Sequence, residues 1–171
     1  MDEPVTERVQ GTATAAGARE AARGGARISL AGDLERAVSM TVADLRALPQ
    51  RTLDARFVCG RAGEQRHVYS GPPLVEVVLA AGPRFDPVVG KDRTRFLVAV
   101  AGRDGHVAVV SWGEIDPRYG DGGVLVATCV DGRDLDGEGP QLVVPRDAAG
   151  GRYVSQVVSI WAGSAAVLAR V

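Results

Sequence analysis

Cys59 is the residue of this chain whose type and surroundings are best suited to chemistry. It ends a predicted strand, and four cationic residues are close to it in the sequence: Arg56, Arg61, Arg66 and His67. Cationic neighbours lower the pKa of a thiol and favour the thiolate, which is both a nucleophile and a ligand for soft metals. The alternative is that Cys59 fills a small site in the core, as most single cysteines do.

The second cysteine and the two histidines have less distinctive surroundings. Cys129 lies in the apolar run VLVATCV, which predicts that it packs in the core. His67 and His106 could each carry a proton or bind an anion near a thiolate, or they could be solvated residues beside turns. His106 opens the predicted strand HVAVVS directly after a turn, which would place it at the rim of a site.

Common catalytic and nucleotide-binding motifs are absent from the sequence. There is no P-loop, no G-x-G-x-x-G that opens a helix after a strand, no H-E-x-x-H and no G-x-S-x-G. The sequence also lacks the repeated alternation of strands and helices that dinucleotide-binding domains show. These absences exclude most of the common enzyme classes.

Short strands are the elements that must position the candidate residues. Alternating and apolar runs predict strands over residues 28–31, 37–40, 52–59, 96–100, 106–111, 124–130, 133–135, 142–144, 153–160 and 165–171. Glycine-containing turns join several of them into hairpins. Residues 60–69 are polar and are predicted to form no strong element.

Helix signals are fewer than strand signals. Thr41 is a good N-cap for a helix over residues 42–48. Apolar residues at helical spacing predict a second helix over residues 73–81, with Ser70 as its cap and Gly82 at its end. The predicted fold is therefore α+β and dominated by β structure, with a mixed sheet, a barrel-like core and short helices.

Length and charge indicate one soluble domain. The chain has 171 residues, 20 basic and 21 acidic, and a formal net charge of −1. Residues 1–26, rich in Ala, Gly and Arg, are predicted to be a disordered leader, or to form a helix over 13–23 that docks on a partner. Residues 27–171 are predicted to be the globular domain.

The same numbers constrain partners and location. The near-zero net charge argues against nucleic acid or an acidic membrane surface as the main partner. No apolar run approaches the roughly 18 residues of a membrane span. With two cysteines and an acidic N-terminus that does not resemble a secretory signal, we expect a cytoplasmic protein.

Five segments, in this order, resemble the molybdopterin-binding domain of the sulfite oxidase family. They are ISLAGDLERAVSMTVADLRALP, TLDARFVCG, YSGPPLVEVVLAAG, RDGHVAVVSWGEI and VATCVDGRDLDGEGPQLVVPRDAAGGRYVSQVVSI. The second ends where that family carries the cysteine that ligates molybdenum. The third is similar to the family's W-x-G-x-x-L helix, with tyrosine in place of tryptophan. The resemblance covers most of the chain and implies the fold of that domain.

The resemblance also implies roles for individual residues. Cys59 would ligate molybdenum, and Gly150, Gly151 and Arg152 would contact the pterin. Ser155 stands in the same segment, where the family often has a lysine. The family's asparagine, histidine and arginine group before the first strand has no counterpart here, because the leader contains neither Asn nor His. We therefore expect protein from an ordinary host to have an empty or solvent-filled cleft beside Cys59.

Two functions follow from this reading. The first is a molybdopterin-dependent oxidoreductase, in which the metal centre transfers two electrons and a redox partner protein accepts them. Arg61, Arg66 or His106 would attract a small oxyanion substrate, and Arg61 and His106 are the candidate catalytic residues. The second is a cofactor-free binding module that retains the fold and binds a small anion or a protein, since fold does not fix function.

Overall fold

The described part of the chain, residues 26–166 of a computed structural model, is built mainly from strands. They are β1 (Arg27–Gly32), β2 (Val38–Thr41), β3 (Arg51–Cys59), β4 (Gly63–Gly71), β5 (Phe96–Gly102), β6 (Val107–Ser111), β7 (Leu125–Ala127), β8 (Cys129–Val130), β9 (Arg133–Asp134), β10 (Gln141–Val143) and β11 (Val157–Ser164). The predicted leader (except residue 26) and most of the predicted last strand lie outside the described residues.

The helices of this part of the chain are short. They are α1 (Val42–Ala47), α2 (Leu74–Leu79) and α3 (Trp112–Ile115), together with 3-10 turns at Asp92–Arg95 and Gly150–Arg152. None of them has the length and apolar character that crossing a membrane requires. The first two correspond to the two predicted helices.

The strands form three open sheets. The largest has the order β2-β1-β11-β5-β6, a second has the order β3-β4-β8-β9, and β10 pairs with β7. In the largest sheet β1 and β11 are parallel and the other pairs are antiparallel. The predicted β-dominated α+β class with a mixed sheet is confirmed. The barrel-like core is wrong, because the sheets remain open.

One face of the five-stranded sheet covers the core. Along β5 the buried residues alternate with half-buried ones, as expected for a strand with one face on the core. The apolar residues of α2 pack there too, and Leu74, Val77 and Val78 are fully buried. Trp112 of α3 is the largest fully buried side chain. These apolar residues belong to one core.

The caps of the two longer helices differ from each other. The Thr41 hydroxyl accepts from the Asp44 N–H at 3.1 Å, and the Asp44 carboxylate accepts from the Thr41 N–H at 2.8 Å, so α1 has the predicted cap. Ser70 does not cap α2, because its hydroxyl lies 2.8 Å from the Thr52 hydroxyl in the neighbouring strand. Pro73 precedes α2 instead, without a side-chain hydrogen bond.

Two strand predictions are corrected by the pairing. Most of the polar segment 60–69 lies in β4, which pairs along its whole length with β3 and has alternate residues exposed. The predicted strand over 124–130 is two strands, since β7 pairs with β10 and β8 pairs with β4. The predicted Asp131-Gly132 turn is confirmed, with φ of 49° and 77° at its two residues.

Candidate functional site

A cavity of about 790 Å³ lies between the β3–β4 hairpin and the chain that follows β10. Its volume is in the range of small-molecule sites. The lining residues come from β3 and β4, from β8 to β10, and from the segment 149–155: Phe57, Val58, Cys59, Gly60, Gln65, His67, Tyr69, Val130, Asp131, Arg133, Gln141, Ala149, Gly150, Gly151, Tyr153 and Ser155. The Val58 N–H donates to the Ala148 carbonyl at 2.8 Å, which brings the last segment alongside β3.

Cys59 lines this cavity at the end of β3 and is half-buried. The turn after it returns the backbone towards the sulfur, so that the N–H groups of Arg61 and Ala62 donate to Sγ. These hydrogen bonds, and to a smaller extent the charge of Arg61, hold the pKa of the Cys59 thiol below its ordinary value, while burial opposes them. The sequence argument for a thiolate-favouring site is thus supported, with backbone donors as its main cause.

We expect iodoacetamide to modify Cys59 in the native protein faster than a cysteine in an unstructured peptide at pH 7. The lowered pKa leaves more thiolate at that pH, and the thiolate is the reacting form. Rates measured by mass spectrometry from pH 6 to 9 should have a midpoint below that of the peptide. A midpoint at or above the peptide value would show that the Arg61 and Ala62 donors do not act on the sulfur.

His67 is oriented by Asp131 across the hairpins. Its Nδ1 lies 2.7 Å from Asp131 Oδ2, and Asp131 Oδ1 accepts from the Val68 N–H at 2.8 Å. The Val68 N–H, followed by His67, holds the pKa of Asp131 below its ordinary value, so the carboxylate is ionised and accepts. Because the Asp131 carboxylate can only accept, the proton of this hydrogen bond is carried by His67 Nδ1.

Cys59 and His67 line the same cavity without being able to bond each other. Cys59 is paired with Gly63, and His67 is paired with Ala55, four residues further along the ladder. Four residues of a strand span about 13 Å. This spacing excludes a cysteine–histidine nucleophile of the kind in which the two side chains share a proton.

An aromatic wall separates these two groups. The rings of Phe57 and Tyr153 stack with centroids 4.0 Å apart, and Tyr69 lies beneath them, 2% exposed. Burial raises the pKa of Tyr69 and of Tyr153 to about 12, so both phenols are neutral. The buried Tyr153 hydroxyl has no hydrogen-bond partner among the described residues. Such a group is normally satisfied by water or by a ligand.

Four of the predicted site residues meet in the cavity. Cys59 is joined there by Gly150, Gly151 and Ser155, as the resemblance implies. A Cβ at position 150 would lie 2.8 Å from the Phe57 ring, whereas nothing lies within 4 Å of one at position 151. Glycine at 150 is therefore required by the packing of the aromatic wall.

Arg152, which the resemblance assigns to the pterin, does not line the cavity. Its guanidinium donates to Glu114 at 2.9 Å and to Asp147 at 2.7 and 2.8 Å. These bonds hold the 3-10 turn against the helix that contains Glu114. Arg66 is similarly paired with Asp54, outside the cavity. Arg133 does line the cavity, and it is paired with Glu138.

His106 and Arg61, the candidate catalytic residues, also lie outside the lining. His106 is exposed, and its Nε2 is 3.0 Å from the Gly151 carbonyl, so it supports the glycine turn from outside. Arg61 contributes its backbone N–H and its charge to Cys59, as described above. The histidine that lines the cavity is His67, whose partner Asp131 lies 64 residues away and gave no signal in the sequence.

Cys129 is half-buried, which corrects the prediction that it packs wholly within the core. It lies in the two-residue strand β8, where it pairs with Ser70 of β4 and with Asp134 of β9. The short outer strand β9 is exposed and covers it only in part. Cys129 does not line the cavity, so it serves as a matched control for Cys59.

The described residues contain no group of three or more His, Cys, Asp and Glu side chains placed to hold a metal ion. Cys59 would therefore be a single protein ligand. A metal bound there would need further ligands from a cofactor or from solvent.

Comparison with known proteins gives a match of fold. No family model matches the sequence, and no curated protein matches it. The structure is similar to that of the sulfane dehydrogenase SoxCD from Paracoccus pantotrophus, with a TM-score of 0.61 and 21% sequence identity. The match covers 80% of this chain and 38% of that chain, so this chain spans well under half the length of its structural neighbour. The two share a fold over the matched region.

Proposed function

We propose that this chain is a sulfite oxidase-like oxidoreductase domain whose cavity holds a molybdopterin-type cofactor, with Cys59 as the protein ligand of the metal. The observation that carries the proposal is the Cys59 thiol, which lines a cavity of ligand size and whose pKa is lowered by backbone donors. His67 lies too far along the β3–β4 ladder to make it a hydrolytic nucleophile. A single thiolate that lines the cavity suits a metal whose other ligands come with the cofactor.

The fit of the residues to such a cofactor can be tested at two ends. At the metal end Cys59 supplies a soft thiolate, and the unmet Tyr153 hydroxyl marks a wall that accepts a further polar group. At the other end, the phosphate of the cofactor would need a cation. Arg133, the arginine of the lining, is already paired with Glu138. The residues therefore fit the metal end, and we expect the cofactor to be held less tightly than its size would suggest.

The chain's own residues have distinct tasks in this proposal. When bound, the cofactor would supply two-electron transfer at its metal. Cys59 would ligate that metal, and the turn at Gly150 and Gly151 would lie beside it. The stacked Phe57 and Tyr153 rings form an apolar part of the cavity wall. His67, held at Nδ1 by Asp131, would use its other ring nitrogen for a hydrogen bond to a bound group.

The substrate class follows from the lining and from the neighbour. The arginines expected to attract an oxyanion, Arg61 and Arg66, do not line the cavity, and Arg133 is paired. The structural neighbour is a sulfane dehydrogenase. We therefore propose a small reduced-sulfur compound as substrate, in preference to a multiply charged oxyanion, and a separate redox protein as the electron acceptor.

The test is the molybdenum content of protein expressed in a host that makes molybdopterin. After desalting, we expect the wild-type chain and the Cys129→Ser variant to retain molybdenum. The Cys59→Ser variant should retain at least about tenfold less molybdenum than wild type, because the bond between the metal and the thiolate is lost. Elemental analysis by mass spectrometry measures this directly. Equal contents in Cys59→Ser and wild type, or none in any of the three, would contradict the proposal.

A cofactor-free binding module is the second candidate. It is favoured by the ion pairs of Arg133 and Arg152, because neither guanidinium is then free to bind a phosphate-bearing group. Under this function the cavity would bind a ligand of little net charge, and all three proteins above would be free of molybdenum.

A further inference from the structure

The middle of the outer face of the five-stranded sheet is apolar across four strands. One register row, running from β6 to β1, contains Val109, Ala99, Trp161 and Ala31 as direct neighbours. These side chains point away from the core, since the residues between them along each strand are buried. Two charges lie at the edges of this face, Arg27 at the start of β1 and the Asp33 carboxylate beside Gly163 of β11.

The exposed side chains of this face are unusually apolar for the solvent face of a sheet. Trp161 is 44% exposed, Val109 is 47% exposed and Val107 is 54% exposed. The solvent face of an antiparallel sheet normally alternates to polar and charged residues. A contiguous apolar patch on a soluble protein generally marks an interaction site.

The shape of this face is self-complementary. Val107 and Val109 form a ridge on β6, Ala99 and Ala101 form a groove on β5, and Trp161 forms a second ridge on β11. The indole lies over Gly163, where a Cβ would be 2.5 Å from the ring, so the second ridge is low and flat. In a two-fold arrangement the valine ridge of each copy can enter the alanine groove of the other.

We propose that this face is the surface through which two copies of the chain associate. The two edge charges, Arg27 and Asp33, are of opposite sign, and the chain has a net charge of −1, so electrostatic repulsion of a second copy is small. Four strands of about five residues give a flat area of about 300 Å². This is less than half of the roughly 800 Å² that each partner contributes to a standard interface, so the dimer is weak and depends on concentration.

The test uses the full chain from about 10 μM to 1 mM, and we expect a dimer with a dissociation constant on the order of 100 μM. Sedimentation velocity gives the mass. Val109→Lys should raise the dissociation constant by at least about tenfold, because the association would bury each lysine charge in the alanine groove of the other copy without a partner. The matched control is Val88→Lys, which places the same charge on a loop residue that is 89% exposed and lies off the sheet.

A second measurement needs no variant. The chain has two tryptophans, and Trp112 is fully buried, so quenching of fluorescence by acrylamide reports mainly on Trp161. Quenching should decrease as the concentration rises through the dimer range. A monomeric mass at 1 mM with constant quenching would overturn the proposal. That result is expected if residues 1–25 or a different protein cover the face instead. Equal dimerisation by Val109→Lys and wild type would overturn it as well.

Discussion

Replacing Asp116 with alanine should lower the free energy of unfolding by about 3 kcal/mol at neutral pH. Asp116 is 4% exposed, and it accepts from the Trp112 indole N–H at 2.7 Å and from the Arg118 guanidinium at 2.8 Å. It also accepts from the Arg118 backbone N–H at 3.0 Å. Alanine would leave the indole N–H of a fully buried tryptophan without its partner. Urea unfolding followed by circular dichroism measures the loss.

The loss should depend on pH in a defined direction. The Arg118 guanidinium, with the Arg118 backbone N–H and the Trp112 indole, holds the pKa of Asp116 well below its usual range. A depressed folded-state pKa contributes stability that is present above the unfolded-state pKa of about 4. That stability is lost as the pH falls towards the folded-state value. The difference between wild type and Asp116→Ala should therefore shrink between pH 5 and pH 3.

The matched control is Asp134→Ala. Asp134 also forms an ion pair with an arginine, Arg46, at 3.1 Å, but its side chain is 66% exposed. Exposed pairs of this kind contribute at most about 1 kcal/mol. If Asp116→Ala cost no more than Asp134→Ala, then burial of Asp116 would have no energetic consequence, and the assignment of the Trp112 bond would be wrong.

Local patterns in the sequence predicted the local elements and little of what joins them. The capping pair Thr41 and Asp44 and the hairpin between β5 and β6 are specified by neighbouring residues, and both were predicted. The strand β4 was not, because its sequence GEQRHVYSG has the polarity of a loop. It is a strand because β3 offers nine pairing partners in register. Pairing of that kind is a tertiary effect that overrides local propensity.

The site shows the same division. Cys59 and the glycines of the 150 turn were found from residue type and resemblance, and they do meet in the cavity. His106 was preferred to His67 because it begins a strand after a turn. The preference fails because His67, and not His106, lines the cavity. Asp131 orients His67, and Asp131 lies next to β4 because β8 pairs beside that strand. Arg152 has the right neighbours in sequence, but Glu114, 38 residues earlier, holds its guanidinium.

Gly32→Ala is expected to have the second large effect, because it would act at the parallel pairing of the first and last described strands. Gly32 has φ of 116°, and a Cβ there would lie 2.0 Å from the Ala162 carbonyl oxygen. That oxygen also accepts from the Asp33 N–H at 2.8 Å, so β11 cannot move away without losing a hydrogen bond. Strain and collision together should cost roughly 3 kcal/mol or more, or prevent folding.

Two other glycines separate the causes of this effect. Gly63 has φ of 73° with nothing within 4 Å of a Cβ, so Gly63→Ala should show only backbone strain, of about 1 kcal/mol. At Gly71 a Cβ would lie 2.3 Å from the Val126 carbonyl oxygen, without a positive φ, so Gly71→Ala should show only the collision. Chemical denaturation should rank the losses Gly32 first, Gly71 second and Gly63 last. A Gly32→Ala protein as stable as Gly63→Ala would show that β1 and β11 are not held together at this position, and the outer face that they share with Trp161 would then lack its support.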